Sequence, residues 1–381
     1  ILKPVTLVLE VLFWASLGLL AWSQVGYPVF LALLQAILRR PSAPGPIRGD
    51  DVPFVSIVIA AYREEPVIAR RVSNMRSLDW PADKLEVIVA CDGSDDGTQE
   101  AARQAGADVV LDLPRGGKVR AQDAAVKVAK GELIAFGDAN SQWKPSALRN
   151  LLAPFFSDDN IAYVCGRVRF ENSEGTNQEG VYWRIEMMIR GLEAKLASVT
   201  AGNGAIYAMR KKDYVEVDPV MGHDLKMPFT IVKNGHRASE APGAQAVELM
   251  VPSLEGEFAR KRRMMSHAWP IVVKGGLLSP KGYSPLYALM IFSHRAIRYA
   301  SPFLHLIALG ASALLAWGGS TFWIVVLCLQ LLALLAAWLG GVVKARPLLI
   351  ARYYVLMTAS IAGGWWDWWR HGTEAGWEPP E

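Results

Sequence analysis

The sequence predicts an α/β fold in which a mostly parallel sheet with helices on both faces is flanked by membrane-spanning ends. Two observations carry this prediction. Hydrophobic residues make up 52% of the 381 residues, and they are concentrated at the two ends of the chain. Between those ends, short runs of aliphatic and β-branched residues alternate with segments of helical periodicity, which is typical of parallel strands joined by crossover helices.

The composition narrows the class of partner. The chain has 40 basic and 36 acidic residues, and the basic ones lie next to the apolar ends. A membrane surface explains that placement better than nucleic acid does, so we expect membrane lipids and no nucleic acid as partners. Cys91, Cys165 and Cys328 have no paired spacing, which argues against a disulfide framework or a zinc site and fits a reducing compartment.

The N-terminal apolar stretch, 5–38, is closed by Arg39-Arg40. It is longer than the roughly 20 residues that one span needs and too short for two spans with a turn. We therefore expect one transmembrane helix within 1–40, kinked near Gly26-Tyr27-Pro28. A linker rich in Pro and Gly follows at 41–53, and the positive-inside rule places it and the next domain in the cytoplasm.

The domain that follows is expected to begin with four strands, each a continuous run of residues suited to burial on both faces. The expected strands are 55–61, 85–90, 109–111 and 133–136, with helices at 66–76, from 98 and at 116–130 between them. In open α/β sheets, ligands bind beyond the carboxyl ends of the strands. The residues that directly follow these strands are therefore the candidates for a site.

Polar motifs follow three of the strands: Tyr62-Arg63-Glu64-Glu65, Asp92-Gly93-Ser94-Asp95-Asp96-Gly97-Thr98 and Asp138-Ala139-Asn140. The glycines of the second motif allow close backbone approach, and its acids can accept hydrogen bonds from a ribose or a base. A Ca²⁺ loop or a plain acidic turn is the alternative, although the bidentate Glu of an EF-hand is missing. Asp138 can hold a metal ion, or Asp138 and Asn140 can simply form a turn.

Together with Gly117-Lys118, these motifs resemble the family 2 glycosyltransferases of the GT-A fold. The similarity covers about residues 53–276 and is greatest to the membrane-embedded branch that includes cellulose, hyaluronan, chitin-oligosaccharide and poly-N-acetylglucosamine synthases and glycolipid-forming enzymes. The resemblance implies a hexosyltransferase with a nucleotide-sugar donor, UDP-linked by expectation, and a catalytic domain at 54–276. A dehydrogenase is not expected, because no Gly-x-Gly-x-x-Gly follows the first strand.

The resemblance also implies roles for individual residues. The expected nucleotide-sugar-binding residues are Ala61, Tyr62, Glu64, Glu65, Asp92, Lys118, Asp138, Arg260 and Arg263. Asp138 would bind the Mg²⁺ or Mn²⁺ that bridges the diphosphate, because hard cations prefer oxygen ligands. The family's usual Asp-x-Asp is here Asp-Ala-Asn, so Asn140 would supply a weaker, neutral second contact to the metal.

The acceptor side is expected to involve a glycine-rich turn, 200–208, in which Gly202 and Asn203 would lie near the acceptor; a turn selected only for backbone freedom is the alternative. Asp224 stands where the family has its catalytic base, with His223 in place of the usual Glu. A helix cap is the alternative role for Asp224. In-line attack assisted by one base and a metal inverts the anomeric centre, so an α-linked donor would give a β-glycoside.

Arg260-Lys261-Arg262-Arg263-Met264 resembles the family's Gln/Arg-x-x-Arg-Trp. Arginines three apart share a helix face and can bind phosphate oxygens in a bidentate fork, while a basic helix on the membrane surface is the alternative. In the polymerising synthases the Trp stacks beneath an acceptor sugar. Met264 stands in that place as an acceptor-binding candidate, and the missing Trp leaves processivity in question.

The C-terminal part, 277–381, is expected to return to the membrane. We expect an interfacial helix at 284–298, spans at 299–317 and 322–342, and an interfacial or re-entrant segment at 347–364. This arrangement predicts a multi-pass protein of the cell inner (plasma) membrane.

The sequence thus predicts metal-dependent, inverting sugar transfer to an acceptor presented at the membrane. A growing polysaccharide is slightly favoured as the acceptor, and a lipid is the alternative. A non-catalytic nucleotide-sugar-binding membrane subunit is the competing class, because Asn140 and His223 depart from the family's pattern. An assembly or export partner subunit is compatible with either class.

Overall fold

The computed structural model describes residues 2–171, 179–249 and 253–376. The strands in these ranges are β1 Val55–Ala61, β2 Leu85–Asp92, β3 Val109–Leu113, β4 Leu133–Asp138, β5 Gln142–Trp143, β6 Ile161–Glu171, β7 Tyr207–Arg210 and β8 Arg237–Leu249. The α-helices are α1 Leu2–Ala21, α2 Tyr27–Leu38, α3 Glu65–Arg76, α4 Thr98–Gln104, α5 Lys118–Val128, α6 Ala147–Ser157, α7 Glu179–Leu196, α8 His223–Lys233, α9 Leu254–Val273, α10 Pro285–Met290, α11 Ile297–Trp317, α12 Thr321–Leu339 and α13 Arg346–His371.

The eight strands form one sheet in the order β3-β2-β1-β4-β7-β6-β8-β5. β1 is parallel to β2 and β4, β2 is parallel to β3, and β6 is parallel to β8. β7 is antiparallel to β4 and β6, and β5 is antiparallel to β8. The predicted class, a mostly parallel, Rossmann-like sheet with helices, is confirmed.

Helices cover both faces of the central strands, because alternate residues of a strand point to opposite sides. Ile57 and Ile59 of β1 belong to one buried cluster with Val72 of α3, and Val58 belongs to a second cluster with Ala125 of α5. All five side chains are fully buried. Burial of an aliphatic side chain contributes about 1.5–3 kcal/mol, so strands covered on both faces consist of continuous apolar runs.

Strand β8 was not predicted from the sequence, although it connects two parts of the sheet. It pairs with β6 along most of its length, and its far end pairs Gln142 with Val247 and Trp143 with Ala246. The strand is built from alanines and polar residues, and its pairing with β6 has register shifts. No clean alternation of apolar and polar residues therefore marks it in the sequence.

Four helical segments are long and apolar enough to cross a membrane, by length and composition: Pro4–Leu38, Pro285–Trp317, Thr321–Leu339 and Arg346–His371. The first agrees with the predicted N-terminal span. The predicted kink near Gly26 is a π-helical turn, Trp22–Gly26, which joins α1 to α2 without a break. A π-helical insertion is one of the identifiable causes of a bend in a long helix.

The predicted boundary between an interfacial helix at 284–298 and a span at 299–317 is wrong. The chain forms one helix through this region, with a π-helical turn at Ile291–Ala296. The arginines suggested an interface, but Arg298 pairs with Glu186 of α7 at 2.7 Å and Arg295 lies 3.5 Å from the same carboxylate. Because these arginines have a carboxylate partner inside the protein, they can lie in a helix away from the lipid headgroups.

The segment at 347–364 also differs from the prediction of an interfacial or re-entrant structure. It lies inside a single helix, Arg346–His371. Arg352, which made the segment look too polar, pairs with Glu255 of α9 at 2.7 Å. The second predicted span also ends earlier than expected, at Leu339 rather than at residue 342.

Candidate active site

The candidate site lies at the edge of the sheet where three parallel strands end. Ala61 and Asp92 are the last residues of β1 and β2, and Asp138 is the last residue of β4. The register pairs Ala61 with Cys91 and Ala60 with Asp138, so the three ends are level. The structure therefore brings together the three polar motifs that the sequence places after these strands.

Asp92 holds the loop that opens α5. Its carboxylate is 1% exposed and accepts hydrogen bonds from the backbone nitrogens of Gly116 and Gly117, at 2.7 and 2.9 Å, and from Arg115 at 2.7 Å. The Arg115 guanidinium in turn lies 3.4 Å from the centroid of the Tyr62 ring. Asp92 thereby fixes a flat surface of one aromatic ring and one cation, which can stack on a planar group such as a base.

The C-terminal segment borders the same loop. Gly117 has a φ of 94°, and a Cβ there would collide with the carbonyl oxygen of Ala375, so the close approach requires glycine. Thr373 donates a hydrogen bond to the carbonyl of Ser266 in α9 at 2.8 Å, which anchors this segment beside the loop. No sequence motif indicates this long-range contact.

Glu64 and Glu65 extend the acidic edge. The Glu65 carboxylate accepts a hydrogen bond from the backbone nitrogen of Gly97 at 3.0 Å, so it ties the first motif to the second. Glu64 is 8% exposed. Burial, followed by the nearby Asp138 and Asp96 carboxylates, raises the pKa of Glu64 to about 7.

Asp138 and Lys118 form an ion pair at the end of β4. A Cβ on Gly204 would lie 3.1 Å from the Lys118 ammonium and 3.3 Å from the Asp138 carboxylate, so the glycine-rich turn approaches the pair closely. Although burial opposes it, Asp138, Asp224 and Glu248 raise the pKa of Lys118, which stays charged. Lys118 is therefore paired with Asp138 and also interacts electrostatically with Asp224 and Glu248.

Asn140, the predicted second metal contact, is exposed in the turn after Asp138. That turn is closed by Ser141, whose hydroxyl donates to the Asp138 carbonyl at 3.0 Å. Among the residues that the structure describes, no group of three His, Cys, Asp or Glu side chains is arranged to hold a metal ion. A metal here would need oxygen ligands from the donor or from water.

Asp224 is the second residue of α8, and its backbone carbonyl accepts a hydrogen bond from Gly202 at 2.7 Å. The residue at the helix cap, Gly222, has no side chain to bond, and the Asp224 carboxylate folds back to 2.7 Å from a Cβ placed on it. The predicted base thus lies against the predicted acceptor turn. Its role as the base stays a prediction.

His223, which replaces the family's usual Glu, is 4% exposed and lies among aromatic rings. Its Nδ1 is 2.9 Å from the Tyr207 hydroxyl, and its Nε2 is 3.4 Å from the Tyr214 hydroxyl. Burial lowers the pKa of His223 to about 3, so the ring is neutral at physiological pH. An ionised Glu in this pocket would be costly, which is consistent with the substitution.

The side chain of Asn203 serves the turn in which it lies. Its amide nitrogen donates to the Gly166 carbonyl at 2.7 Å, and its amide oxygen accepts from the Ile206 nitrogen at 2.9 Å. These bonds use one donor and one acceptor of the amide, which has further hydrogen-bonding capacity. Contact of Gly202 and Asn203 with the acceptor stays a prediction.

The residues of the basic motif on α9, 260–264, have different surroundings. Arg260 forms a bidentate pair with Glu257, both bonds at 2.8 Å, while Met264 is 42% exposed. His267, which the sequence analysis did not select, interacts electrostatically with Asp224 and Arg263, and burial lowers its pKa.

The fold is that of GT-A domains, and it is flanked by helices that are long and apolar enough to cross a membrane. Residues 56–217 match the family described as glycosyl transferase family 2. The resemblance seen in the sequence is confirmed.

The relatives differ in what their names say they make. The chain is 29% identical over 176 residues to the beta-monoglucosyldiacylglycerol synthase of Trichormus variabilis, a match covering 44% of this chain and 37% of that protein. It is 29% identical over 176 residues to the UDP-forming cellulose synthase catalytic subunit of Pseudomonas fluorescens, covering 41% of this chain and 24% of that one. The matched region thus spans well under half of each relative.

One solved structure resembles almost the whole chain. It is the mannosyltransferase PcManGT from Pyrobaculum calidifontis in complex with GDP-Man and Mn²⁺. The TM-score is 0.73 at 22% identity, and the match covers 93% of this chain and 98% of that chain. At this identity the similarity shows a shared fold.

Proposed function

We propose that the protein transfers a sugar from a nucleotide-sugar to an acceptor at the membrane, with inversion and with a divalent cation. The observation that carries this proposal is that Lys118 pairs with Asp138 and also interacts electrostatically with Asp224, beside the turn that contains Gly204. A metal-binding acid and a base near one site are what in-line transfer from a diphosphate leaving group requires.

The donor set fits a hard cation. Glu64 and Glu248 each interact electrostatically with Asp138, and the cations Lys118 and Arg71 interact with Glu248, so oxygen donors are available next to Asp138. When bound, Mg²⁺ or Mn²⁺ would neutralise the negative charge that grows on the departing diphosphate. The Mn²⁺ in PcManGT supports a divalent metal and does not choose between the two ions.

The chain's own residues carry the other tasks. Tyr62 and Arg115 present a flat surface to the nucleobase of the donor. The loop bound by Asp92 holds that surface in position. Lys118 contributes positive charge toward the diphosphate. Asp224 takes the proton from the acceptor hydroxyl as the new bond forms. A UDP-linked donor is supported by the cellulose synthase relative, whose name includes UDP-forming.

Two acceptors are supported to different degrees. A polysaccharide is the acceptor that the sequence slightly favours, and one curated relative is a cellulose synthase subunit. A lipid is the acceptor that the beta-monoglucosyldiacylglycerol synthase relative supports. A polymer channel needs an enclosing bundle, whereas a lipid needs a lateral opening. We place the catalytic domain on the cytoplasmic face of the inner membrane, because Arg39-Arg40 adjoins the first span.

The test is diphosphate release by the full chain in detergent with native lipid extract. A panel of UDP- and GDP-sugars is supplied with Mg²⁺, Mn²⁺ or EDTA, and the lipid and polymer fractions are analysed by mass. We expect metal-dependent release with one donor and sugar in one fraction. Silence with every donor, while nucleotide still binds, would favour the non-catalytic subunit.

A further inference from the structure

Glu248 adjoins the metal-binding turn through the pairing of two strands. The antiparallel ladder between β5 and β8 pairs Gln142 with Val247. One residue further in the same register, Glu248 lies beside Ser141, whose hydroxyl bonds the Asp138 carbonyl. Two segments more than 100 residues apart in the chain therefore meet at the turn that carries the predicted metal acid.

The side chain of Glu248 belongs to the same charged cluster. It interacts electrostatically with Asp138, and with the cations Arg260, Lys118 and Arg71. Glu248 and Asp138 are both acids beside the same turn, and a cation between them would relieve the repulsion of their carboxylates.

Arg71 lies behind this space and favours two ionised carboxylates. It is fully buried, its Nη2 lies against the backbone of Gly137, and its guanidinium is 5.0 Å from the Trp143 ring centroid. Burial lowers the pKa of Arg71 only to about 9, so it stays charged at neutral pH. Its Nε and Nη2 have no hydrogen-bond partner among the described residues, and the guanidinium interacts electrostatically with Asp138 and Glu248.

We propose that Glu248 is the second carboxylate ligand of the divalent cation, in the role for which the chain's Asp-Ala-Asn sequence provides only Asn140. The proposal rests on the proposed function and specifies its metal site. Two protein carboxylates leave the remaining coordination positions to the donor's diphosphate and to water, which is usual for Mg²⁺ sites in phosphate chemistry. The cation therefore binds well only when a nucleoside diphosphate is present.

The experiment measures Mn²⁺ binding to the full chain in detergent, with UDP present, from the electron paramagnetic resonance signal of free Mn²⁺. We expect Glu248→Gln to raise the Mn²⁺ Kd about 100-fold and Glu248→Asp to raise it about 10-fold, because a shorter carboxylate keeps the charge. Asn140→Ala should change it less than about threefold. Glu100→Gln, an exposed change on α4, is the matched control and should bind as the wild type does.

A second readout separates a ligand from a structural residue. UDP binding without metal, and the unfolding temperature, should be the same for Glu248→Gln as for the wild type within error. Wild-type Mn²⁺ affinity in Glu248→Gln, or equal loss of metal-free UDP binding, would overturn the assignment of Glu248 and leave the transferase proposal standing. Absence of Mn²⁺ binding in the wild type with UDP and with GDP would overturn both.

Discussion

Two buried charged clusters lie on either side of the glycine-rich turn, and they are balanced differently. At the sheet edge, Asp138, Glu64 and Glu248 face Lys118 and Arg71, and burial with mutual repulsion raises the pKa of Glu64 and of Glu248 to about 7. Three carboxylates thus meet two cations here, and Glu64 and Glu248 are each partly protonated near pH 7. A cation bound here would favour the ionised form of both glutamates.

The carboxylates of the cluster at the membrane junction are paired inside the protein. Glu193 accepts from Tyr27 at 2.6 Å and lies 2.8 Å from His294, while Glu186 accepts from Arg298 at 2.7 Å. Although burial opposes it, His294 and then Arg295 lower the pKa of both glutamates. Each glutamate therefore has a cationic partner at short range within the chain, which fixes the position of the junction.

The cluster at the membrane junction also contacts the glycine-rich turn. Arg295 donates to the Thr200 hydroxyl at 2.9 Å, and Thr200 donates to Glu193 at 3.0 Å. Two residues later, Gly202 bonds the backbone of Asp224. The sheet-edge cluster is therefore the one that a cation would stabilise. The cluster at the membrane junction instead holds the glycine-rich turn next to Asp224, the proposed base.

The largest effect is expected at Asp224, the proposed base. Asp224→Asn should lower turnover by about 10²–10⁴-fold, because the amide keeps the shape and loses the proton acceptor. Donor affinity, measured by titration of UDP, should be unchanged. Asp218→Asn, on the loop before α8, is the control and should keep its turnover. Near-wild-type turnover in Asp224→Asn would remove Asp224 from this role.

Removal of a carboxylate charge at the membrane junction should lower the free energy of unfolding and leave nucleotide binding unchanged. Glu186→Gln leaves Arg295 and Arg298 with a neutral partner in a buried setting, so we expect a loss of about 3–5 kcal/mol in unfolding free energy. Denaturant unfolding in detergent measures it, with UDP affinity as the control. If Glu186→Gln weakened UDP binding and left stability unchanged, the two clusters would not be separable.

The opposite pattern is expected at the sheet edge. Asp138→Asn should weaken Mn²⁺-dependent UDP binding by about 100-fold, since it removes a charged ligand, while the unfolding free energy changes little. Titrations of UDP with Mn²⁺ and with EDTA separate the metal's contribution from that of the nucleotide. Unchanged affinity with Mn²⁺ would take Asp138 out of the metal site.

The pH dependence of stability should have opposite signs in the two clusters. Because the folded pKa of Glu64 is raised from 4.5 to about 7, its contribution to stability is present below about pH 4.5 and is lost as pH rises through 7. The lowered pKa values of Glu186 and Glu193 give stability that is lost as pH falls below about 4.5.

Unfolding temperatures of metal-free protein between pH 5 and 7.5 test this contrast. The decline with rising pH should be shallower in Glu64→Gln than in the wild type and unchanged in the surface variant Glu100→Gln. Equal slopes in Glu64→Gln and the wild type would show that Glu64 does not titrate in this window.

The smallest effect is expected at the solvent-exposed rim of the candidate site, where Arg63 and Asp95 lie. Arg63 and Asp95 form an ion pair at 2.7 Å, with 53% and 65% of their side chains exposed. Exposed pairs of this kind contribute about 0–1 kcal/mol, and less in high salt. Arg63→Ala should therefore change the unfolding free energy by less than about 1 kcal/mol. A larger loss would mean that the rim is part of the donor-site cluster.

Much of the fold could be predicted because β1, β2 and β4 are continuous apolar runs that end in polar motifs. β8 could not, since its small and polar residues lack a clear period and its ladder with β5 is only two pairs long. Glu248 has no motif of its own, and only the paired strands place it beside Asp138. Its place in the site therefore required the tertiary structure.

The membrane segments also show that contacts between distant parts of the chain cannot be predicted from local sequence. Arg298 and Arg352 suggested interfacial helices, because a charge inside an apolar run is costly without a partner. The partners, Glu186 and Glu255, are 112 and 97 residues away in the chain. Compensation over such distances cannot be read from local composition, whereas the acids that follow parallel strands could be placed by a general rule of sheet topology.

The most direct test of the contrast between the clusters is a calorimetric titration of UDP into the wild-type chain, once with Mn²⁺ and once with EDTA. If the sheet-edge cluster awaits a cation, Mn²⁺ should tighten UDP binding by about 100-fold, equivalent to about 2.7 kcal/mol. Equal affinity in the two titrations would contradict this interpretation, because the charges at the sheet edge would then be complete without a metal.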